Sequence, residues 1–161
     1  MKKHVAIFLI MISVMTCVYA GILDTIKSGV SSAVNKVTGK QDAYSMPEED
    51  FKNACKVLDY TDLMKRVDEN KDKAIYLEVG ITQNVSSTDY LAYRTISLYG
   101  VIAGIDTDKP YYLVDALMKN PTLNTGSYFK IWGLYKGIKD VTTLQGHIKM
   151  PQIEVVYSYV Y

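Results

Sequence analysis

Regular alternation of apolar and polar residues through the second half of the chain limits its fold more than any other feature. In residues 75–82, branched aliphatic side chains occupy every second position, between tyrosine, glutamate, glycine and threonine. Successive side chains of a strand point to opposite faces of a sheet, so this pattern predicts a strand with one buried face. Four further strands are predicted at residues 93–105, 111–117, 128–135 and 152–161, the last with Pro151 at its edge.

Glycines inside the predicted strands indicate that the sheet closes on itself. Gly100, Gly104 and Gly133 lie within them, and glycine permits the sharp coiling that a small barrel requires. Three breaks are also predicted: a turn at 106–110, a polar loop at 120–126 and the end of a strand at Gly137. We therefore expect a mainly β fold, α+β by content, with five strands in a closed barrel.

One or two short helices are predicted before the barrel. Pro47 and the two glutamates that follow it, with Ser45 as the cap, are typical of a helix start. This helix is predicted to continue to Leu58, with Phe51, Ala54, Cys55 and Leu58 on its apolar face. A second helix is predicted at residues 60–67 and is ended by the polar stretch 68–73. On this apolar face Cys55 is interpreted as a buried, unreactive thiol; the alternative is a reactive cysteine or one paired between chains.

The first twenty residues have the pattern of a secretory signal peptide. Lys2 and Lys3 precede an apolar run at 5–14, and small residues around Ala20 form a plausible cleavage site. The apolar run is about half of the ~20 residues that a bilayer requires, which favours cleavage over a permanent anchor. A lipid anchor on Cys17 is a further alternative. We expect a secreted or periplasmic protein without a stable membrane span after cleavage.

Three segments are predicted along the chain: the signal peptide at 1–20, an amphipathic helix with a linker at 21–46, and the barrel domain with its helices at 47–161. Residues 22–38 carry apolar side chains at helical spacing, and residues 39–45 have the composition of a linker. Without Lys2 and Lys3, 16 of the 18 basic residues remain against 17 acidic ones, a net charge near −1. Charge and location therefore argue against nucleic acid as the ligand.

Three blocks of sequence resemble a group of small bacterial oligonucleotide/oligosaccharide-binding (OB-fold) domains, the tRNA-anticodon-like kind found in secreted or membrane-tethered proteins. They are "DYTDLMKRVDENKDKAIYLEVGITQNV", "ISLYGVIAGIDTDKPYYLVDA", and the closing stretch with "IWGLYKG", "TTLQG" and "MPQIE". The resemblance covers residues 48–161 and departs at 71–74, where the group has Gly-Lys-Lys. It implies an OB-type Greek-key barrel and a binding module, and it makes nucleic acid a possible ligand. It implies no catalytic residues.

The sequence offers little for catalysis or metal binding. Only His147 and Cys55 follow the predicted leader, too few for a zinc site with three or four ligands. A Gly-x-Ser-x-Gly elbow, a phosphate loop and a dinucleotide fingerprint are missing from the sequence. Asp106 and Asp108 lack the twelve-residue pattern of a calcium loop and are interpreted as turn residues. We expect no cofactor and no metal, and a protein that is not an enzyme.

A ligand site is predicted from aromatic and basic residues on the barrel. In OB barrels the ligand lies on the middle strands, flanked by the first and last hairpin loops, where aromatic rings stack on bases or sugars. Tyr76, Tyr93 and Tyr99 are predicted on related faces, and Trp132 shares one strand face with Lys130 and Tyr128. A loop after the fourth strand is predicted to hold the cationic candidates Lys136, Lys139, His147 and Lys149. The alternative is that Trp132 belongs to the core and the lysines keep the surface soluble.

These observations lead to three function classes. The first is a non-catalytic extracytoplasmic binding module for a small anionic, oligosaccharide or peptide ligand. The second is a protein-interaction or envelope-assembly module, which uses an apolar patch, the 22–38 helix or the edge of the last strand at 155–161. The third and weakest is an enzyme.

Overall fold

The computed structural model describes residues 40–120, 123–143 and 146–161, which fall within one compact unit, Val37–Tyr161. The predicted signal peptide, Cys17 and the predicted helix at 22–38 lie outside the described residues. No helix in the described ranges is long and apolar enough to cross a membrane.

Five strands close into a barrel in the order β1-β2-β3-β5-β4. They are β1 (Ala74–Asn84), β2 (Asp89–Leu98), β3 (Val101–Val114), β4 (Tyr128–Thr143) and β5 (Gly146–Val160). All neighbours pair antiparallel except β3 and β5, which pair in parallel at Tyr112–Gln152 to Val114–Glu154. The predicted fold class, a five-stranded OB-type barrel after short helices, is confirmed.

The barrel interior is filled by the inward-facing half of each strand. Val79, Leu113, Ile131 and Ile153 are fully buried in one apolar cluster. Leu63, from a helix that closes the barrel, joins the same cluster at 1% exposure. The period of two therefore predicted the core correctly, because one face of each strand is removed from water.

Four short helices precede the barrel: α1 (Lys40–Ser45), α2 (Glu48–Ala54), α3 (Tyr60–Lys65) and α4 (Val67–Asn70). The linker prediction for residues 39–45 is wrong, since residues 40–45 form α1. Ala43 is fully buried, and the Tyr44 hydroxyl donates a hydrogen bond of 2.9 Å to Glu154. A polar sequence thus becomes ordered by contacts with β5 that are distant along the chain.

The helix predicted to reach Leu58 ends four residues earlier. Cys55 is already extended, and Lys56 pairs with Ile75 at the edge of β1. The backbone N–H of Lys56 donates to Ala74 O at 3.1 Å, and Lys56 O accepts from the N–H of Tyr76 at 2.9 Å. This edge pairing replaces the last helical turn. Likewise, the helix predicted at 60–67 is divided, with α3 ending at Lys65 and α4 starting at Val67.

The strand predicted at 93–105 is two strands joined by a tight turn. Leu98 pairs with Val101, and the two residues between them, Tyr99 and Gly100, have φ of 52° and 79°. Positive φ at both central residues is the geometry of the tight hairpin turn that matches strand twist. The predicted turn at 106–110 instead lies inside β3, where a register shift opposite Tyr93 and Arg94 marks a bulge. The strand predicted at 111–117 is the end of β3, which stops at Val114.

The loop predicted after the fourth strand is also wrong, because β4 and β5 form one long hairpin. β4 continues eight residues past Tyr135 to Thr143, and β5 starts at Gly146 instead of residue 152. Gly137 does not end the strand; its φ of 107° accompanies a register shift between Tyr135 and Gly137. Only glycine adopts this backbone easily, so the bulge coils the strand without stopping it.

The burial of Cys55 supports an unreactive thiol. Cys55 is a free, half-buried cysteine against the cluster of Phe51, Leu134 and Val156, and burial raises the pKa of its thiol to about 12. The thiolate is the reactive form, and a free cysteine has a pKa of about 8.5.

We expect disulfide-exchange labelling of a Cys17→Ser variant at about pH 8 to be ~1000-fold slower in the folded protein than in denaturant, because the thiolate is depleted. The rate is measured with a chromogenic aromatic disulfide. Equal rates in the two conditions would mean that Cys55 is a reactive surface thiol.

Candidate functional site

A cleft opens where β1 and β2 separate. Their pairing runs from Asn84–Tyr90 to Val79–Arg94 and goes no further. Beyond this point the edge of β1 is occupied by Lys56, so the two strands no longer contact each other along their length. One link remains, from the Thr95 hydroxyl to the Glu78 carbonyl oxygen at 3.3 Å. The cleft therefore lies at the start of β1, far along the strand from the β1–β2 loop.

This cleft has a volume of about 360 Å³, within the size range of small-molecule sites. Apolar side chains from three parts of the chain form part of its wall, and polar or charged side chains of β1 and β2 form the rest. Its lining residues are Val57, Leu58, Tyr76, Leu77, Glu78, Arg94, Thr95, Ser97 and Tyr111. The combination of apolar walls with a few polar groups is typical of ligand sites.

The Glu78 carboxylate is held by two tyrosines. Burial opposes its charged form, but hydroxyl hydrogen bonds from Tyr76 and Tyr161 and the nearby cations Lys130 and Arg94 lower the pKa of Glu78. In turn, burial and the hydrogen bond to Glu78 raise the pKa of Tyr161 to about 12 and raise that of Tyr76 as well. Glu78 is therefore an ionised group that already accepts hydrogen bonds from the protein.

Arg94 differs from Glu78 because no residue in the described part of the chain pairs directly with its charge. Arg94 is a half-buried residue of the cleft wall, and its guanidinium makes neither a hydrogen bond nor an ion pair with any described residue. An arginine has five N–H donors in a fixed planar arrangement, which suits the two oxygens of a carboxylate. A guanidinium that no described residue pairs with has hydrogen-bonding capacity to offer a ligand.

The carboxylates whose pKa values are affected by Arg94 already have other hydrogen-bond or ion-pair partners. The positive charge of Arg94 contributes to lowering the pKa values of Glu78, Asp59 and Asp106. Asp59 accepts from the Thr61 N–H at 2.7 Å as the N-cap of α3, and Asp106 pairs with Lys109 at 2.9 Å. These carboxylates are thus committed to other donors.

Of the sequence-predicted ligand residues, Tyr76, Trp132 and Lys130 lie together on the outer face of β1 and β4. The rings of Tyr76 and Trp132 have centroids 5.2 Å apart, and Lys52 Nζ lies 4.7 Å from the Trp132 ring centroid. Lys130 Nζ lies 4.9 Å from the Tyr161 ring centroid. Of these residues Tyr76 lines the cleft. Trp132 is half-buried. Its burial lies between the two predictions, an exposed ring that stacks on a ligand and a residue of the core.

The predicted cationic rim does not converge on one site. Lys136, on β4, pairs with Asp72 and lies 4.0 Å from Glu154. Lys139 Nζ lies over the Tyr112 ring at 5.4 Å, and Lys149 is an exposed residue of β5. On the strands of the long hairpin these side chains therefore have separate surroundings.

The other two predicted tyrosines also lie outside the cleft lining. Tyr93 packs at the edge of a small outer cluster with Leu91, Tyr112 and Met150. Tyr99 is 96% exposed at the tip of the β2–β3 hairpin, so its predicted placement on a strand face with Tyr76 is wrong.

His147 forms a surface group without the geometry of a catalytic relay. Its Nδ1 contacts both the Asp140 carboxylate at 3.2 Å and the Thr142 hydroxyl at 3.5 Å. In a nucleophile–base–acid relay the acid and the nucleophile contact opposite ring nitrogens, whereas here they share one. Within the described ranges, no group of three or more His, Cys, Asp or Glu side chains is arranged to hold a metal ion.

Exposed apolar side chains concentrate on the β2–β3 hairpin and at the end of β5. Ile96, Leu98 and Val101 are 50–69% exposed beside Tyr99. Residues 95–105 contain no charged side chain. At the end of β5, Tyr159 is 63% exposed. These are the surfaces that a protein-interaction module would use.

Sequence analysis missed Arg94 and Glu78, the charged residues of the cleft. Arg94 is one of two arginines in the chain and follows Tyr90 and Ala92 at the same alternating positions of β2. Tyr90 and Ala92 are buried in the core. The sequence therefore does indicate an unusual position, because a charged residue follows two core residues on the same face of the strand. The separation of β1 from β2, which turns this position into a cleft, has no such signal.

Comparison with known proteins identifies no relative: no family model, no curated protein and no solved structure matches the chain. The resemblance to tRNA-anticodon-like OB domains therefore stays a prediction.

Proposed function

We propose that this protein is a non-catalytic binding module whose ligand occupies the cleft between β1 and β2. The observation that carries the proposal is Arg94, a half-buried residue that lines a cleft of about 360 Å³ and whose guanidinium has no direct partner among the described residues. An arginine that lines a cleft without a partner among the described residues leaves its N–H donors available to a ligand.

Two further parts of the proposal rest on the sequence. The leader pattern of residues 1–20 supports an extracytoplasmic location, secreted or periplasmic. The block resemblance supports a place among the OB-fold, tRNA-anticodon-like binding modules. Because the predicted cationic residues are dispersed, the cleft replaces the aromatic and basic rim as the proposed ligand site.

A panel of ligands tests whether the cleft binds anything. Trp132, the single tryptophan of the chain, contacts Tyr76 of the cleft wall, so its fluorescence is expected to change on binding. The panel contains small organic acids, oligosaccharides, short peptides and single-stranded oligonucleotides. A ligand that responds is then measured with Ser97→Phe, which places a ring in the cleft from an exposed position of β2.

We expect Ser97→Phe to weaken the responding ligand at least about tenfold, since the lost contacts are worth 1.4 kcal/mol or more. Gln83→Phe is the matched control, because Gln83 is exposed on β1 and does not line the cleft. A panel without any response, or a ligand that binds Ser97→Phe as tightly as the natural sequence, would contradict a ligand site here. The exposed β2–β3 hairpin would then favour the protein-interaction alternative.

A further inference from the structure

We infer that the ligand of this cleft is an amphipathic carboxylate, with its carboxylate on Arg94 and its apolar body against Leu58, Leu77 and Tyr111. The inference rests on the proposed function and adds the chemical class of the ligand. A free organic acid and the C-terminal residue of a peptide both present this chemistry.

The preference for an anionic ligand follows from the hydrogen bonding of the two charged residues that line the cleft, Glu78 and Arg94. Glu78 accepts hydrogen bonds from two tyrosine hydroxyls, so a cationic ligand would have to compete with donors already in place. Arg94 makes no hydrogen bond or ion pair with a described residue, so an anionic ligand gains contacts without breaking any. The planar guanidinium binds both oxygens of a carboxylate at once.

The apolar part of the ligand follows from the remaining wall. Leu77 and Tyr111 are 9% and 3% exposed, and both belong to the barrel core. Leu58 packs against the same cluster from the extended segment after α2. These side chains are held in place by the core, so an apolar group placed against them is removed from water without disturbing the protein.

The arrangement also argues against a highly charged ligand such as a polyphosphate. Asp59, Glu78 and Asp106 all lie close enough to Arg94 for its charge to affect their pKa values. Each added negative charge on the ligand would be repelled by these three carboxylates. One negative charge, matched to one guanidinium, suits this balance.

The test compares ligands that differ only in their charged group, using the full-length chain. Hexanoate is measured against hexanamide, and a short peptide ending in leucine is measured with a free and with an amidated C-terminus. We expect the carboxylate that binds to do so at least about tenfold more tightly than its own amide, the effect of losing a hydrogen bond to a charged group. Tighter binding of hexanoate indicates a free acid as the source of the carboxylate, and tighter binding of the free-acid peptide indicates a peptide C-terminus.

Arginine variants complete the test. Arg94→Met, which keeps length and apolar stem, is expected to remove the difference between carboxylate and amide. Arg66→Met is the matched control, since Arg66 is the other arginine of the chain, is 63% exposed in its side chain and does not line the cleft. Melting temperatures of both variants show that the fold is retained. Arg94→Lys, which keeps the charge, provides a second folded variant and is expected to restore part of the difference.

The outcomes separate this inference from the proposed function. A ligand whose binding is weakened by Ser97→Phe, but which binds equally well as acid and as amide, would overturn the carboxylate inference. The proposed function as a binding module would still hold. Equal weakening by Arg94→Met and Arg66→Met would also overturn it. If neither hexanoate nor the free-acid peptide binds the natural sequence, the inference is wrong.

Discussion

Gly133→Ala is expected to destabilise the barrel by about 3 kcal/mol, at the upper end of the usual cost of overpacking a core. A Cβ atom at this position would lie 2.5 Å from Glu154 O and 2.9 Å from Ile153 Cγ2. The first contact is with the backbone of β5, which cannot move without disturbing the β4–β5 pairing. For a protein of this size the loss corresponds to a fall in melting temperature of roughly 10 °C, measurable by circular dichroism.

Gly104→Ala is the control for this prediction. A Cβ at Gly104 meets no atom within 4 Å, so this variant changes glycine to alanine in a strand without the close contact. Its φ of 159° adds at most a backbone cost, which would reduce the difference between the two variants. If Gly133→Ala were as stable as the natural protein, the close approach of β5 to β4 would not be the reason that glycine is required.

Phe51→Ala is expected to cost about 3–5 kcal/mol, the usual range for a fully buried phenylalanine. Phe51 is the buried residue of α2, with no exposed surface, and its ring centroid lies 5.8 Å from that of Tyr157 on β5. It packs in the cluster with Ala43, Leu134 and Val156. Its removal leaves a cavity between the N-terminal helices and the outer side of the barrel. Denaturant unfolding measures the loss directly.

Asn53→Ala in the same helix is the matched control, because Asn53 is exposed and is expected to change stability by no more than about 0.5 kcal/mol. A Phe51→Ala protein as stable as Asn53→Ala would show that α2 does not contribute to the stability of the barrel. Loss of α2 alone would instead appear as a separate early transition, before the barrel unfolds.

Residues 75–82 show which features of the barrel can be predicted from local sequence. Their alternation places the core residues of β1 correctly, because burial of one face is decided residue by residue along a strand. Strand ends are decided differently. Tyr99 and Gly100 form a turn within a run of strand-forming residues, and Gly137 lies inside a strand although its residue type predicts a strand end. Both cases depend on which strand lies opposite.

The candidate site was predictable to a smaller extent. Tyr76 was identified because an aromatic residue on a polar strand face is visible in sequence, and it does line the cleft. Lys136 and Lys139 were grouped because they are near in sequence, but they extend from a strand toward Asp72 and the Tyr112 ring. Nearness in sequence brings side chains together in a loop and separates them along a strand, where successive residues face opposite sides.

The sequence by itself determined the fold class, because periodicity, apolar content and glycines inside strands are properties of the chain. It also determined that Arg94 has to be accommodated at a core-facing position. Tertiary structure alone decided that β1 and β2 separate beyond Val79 and Arg94, and that the segment after α2 occupies the free edge of β1 through Lys56. These are contacts between residues about 15 to 20 positions apart or more, and they rest on backbone pairing, which every residue type except proline supports and which therefore leaves no trace in side-chain pattern.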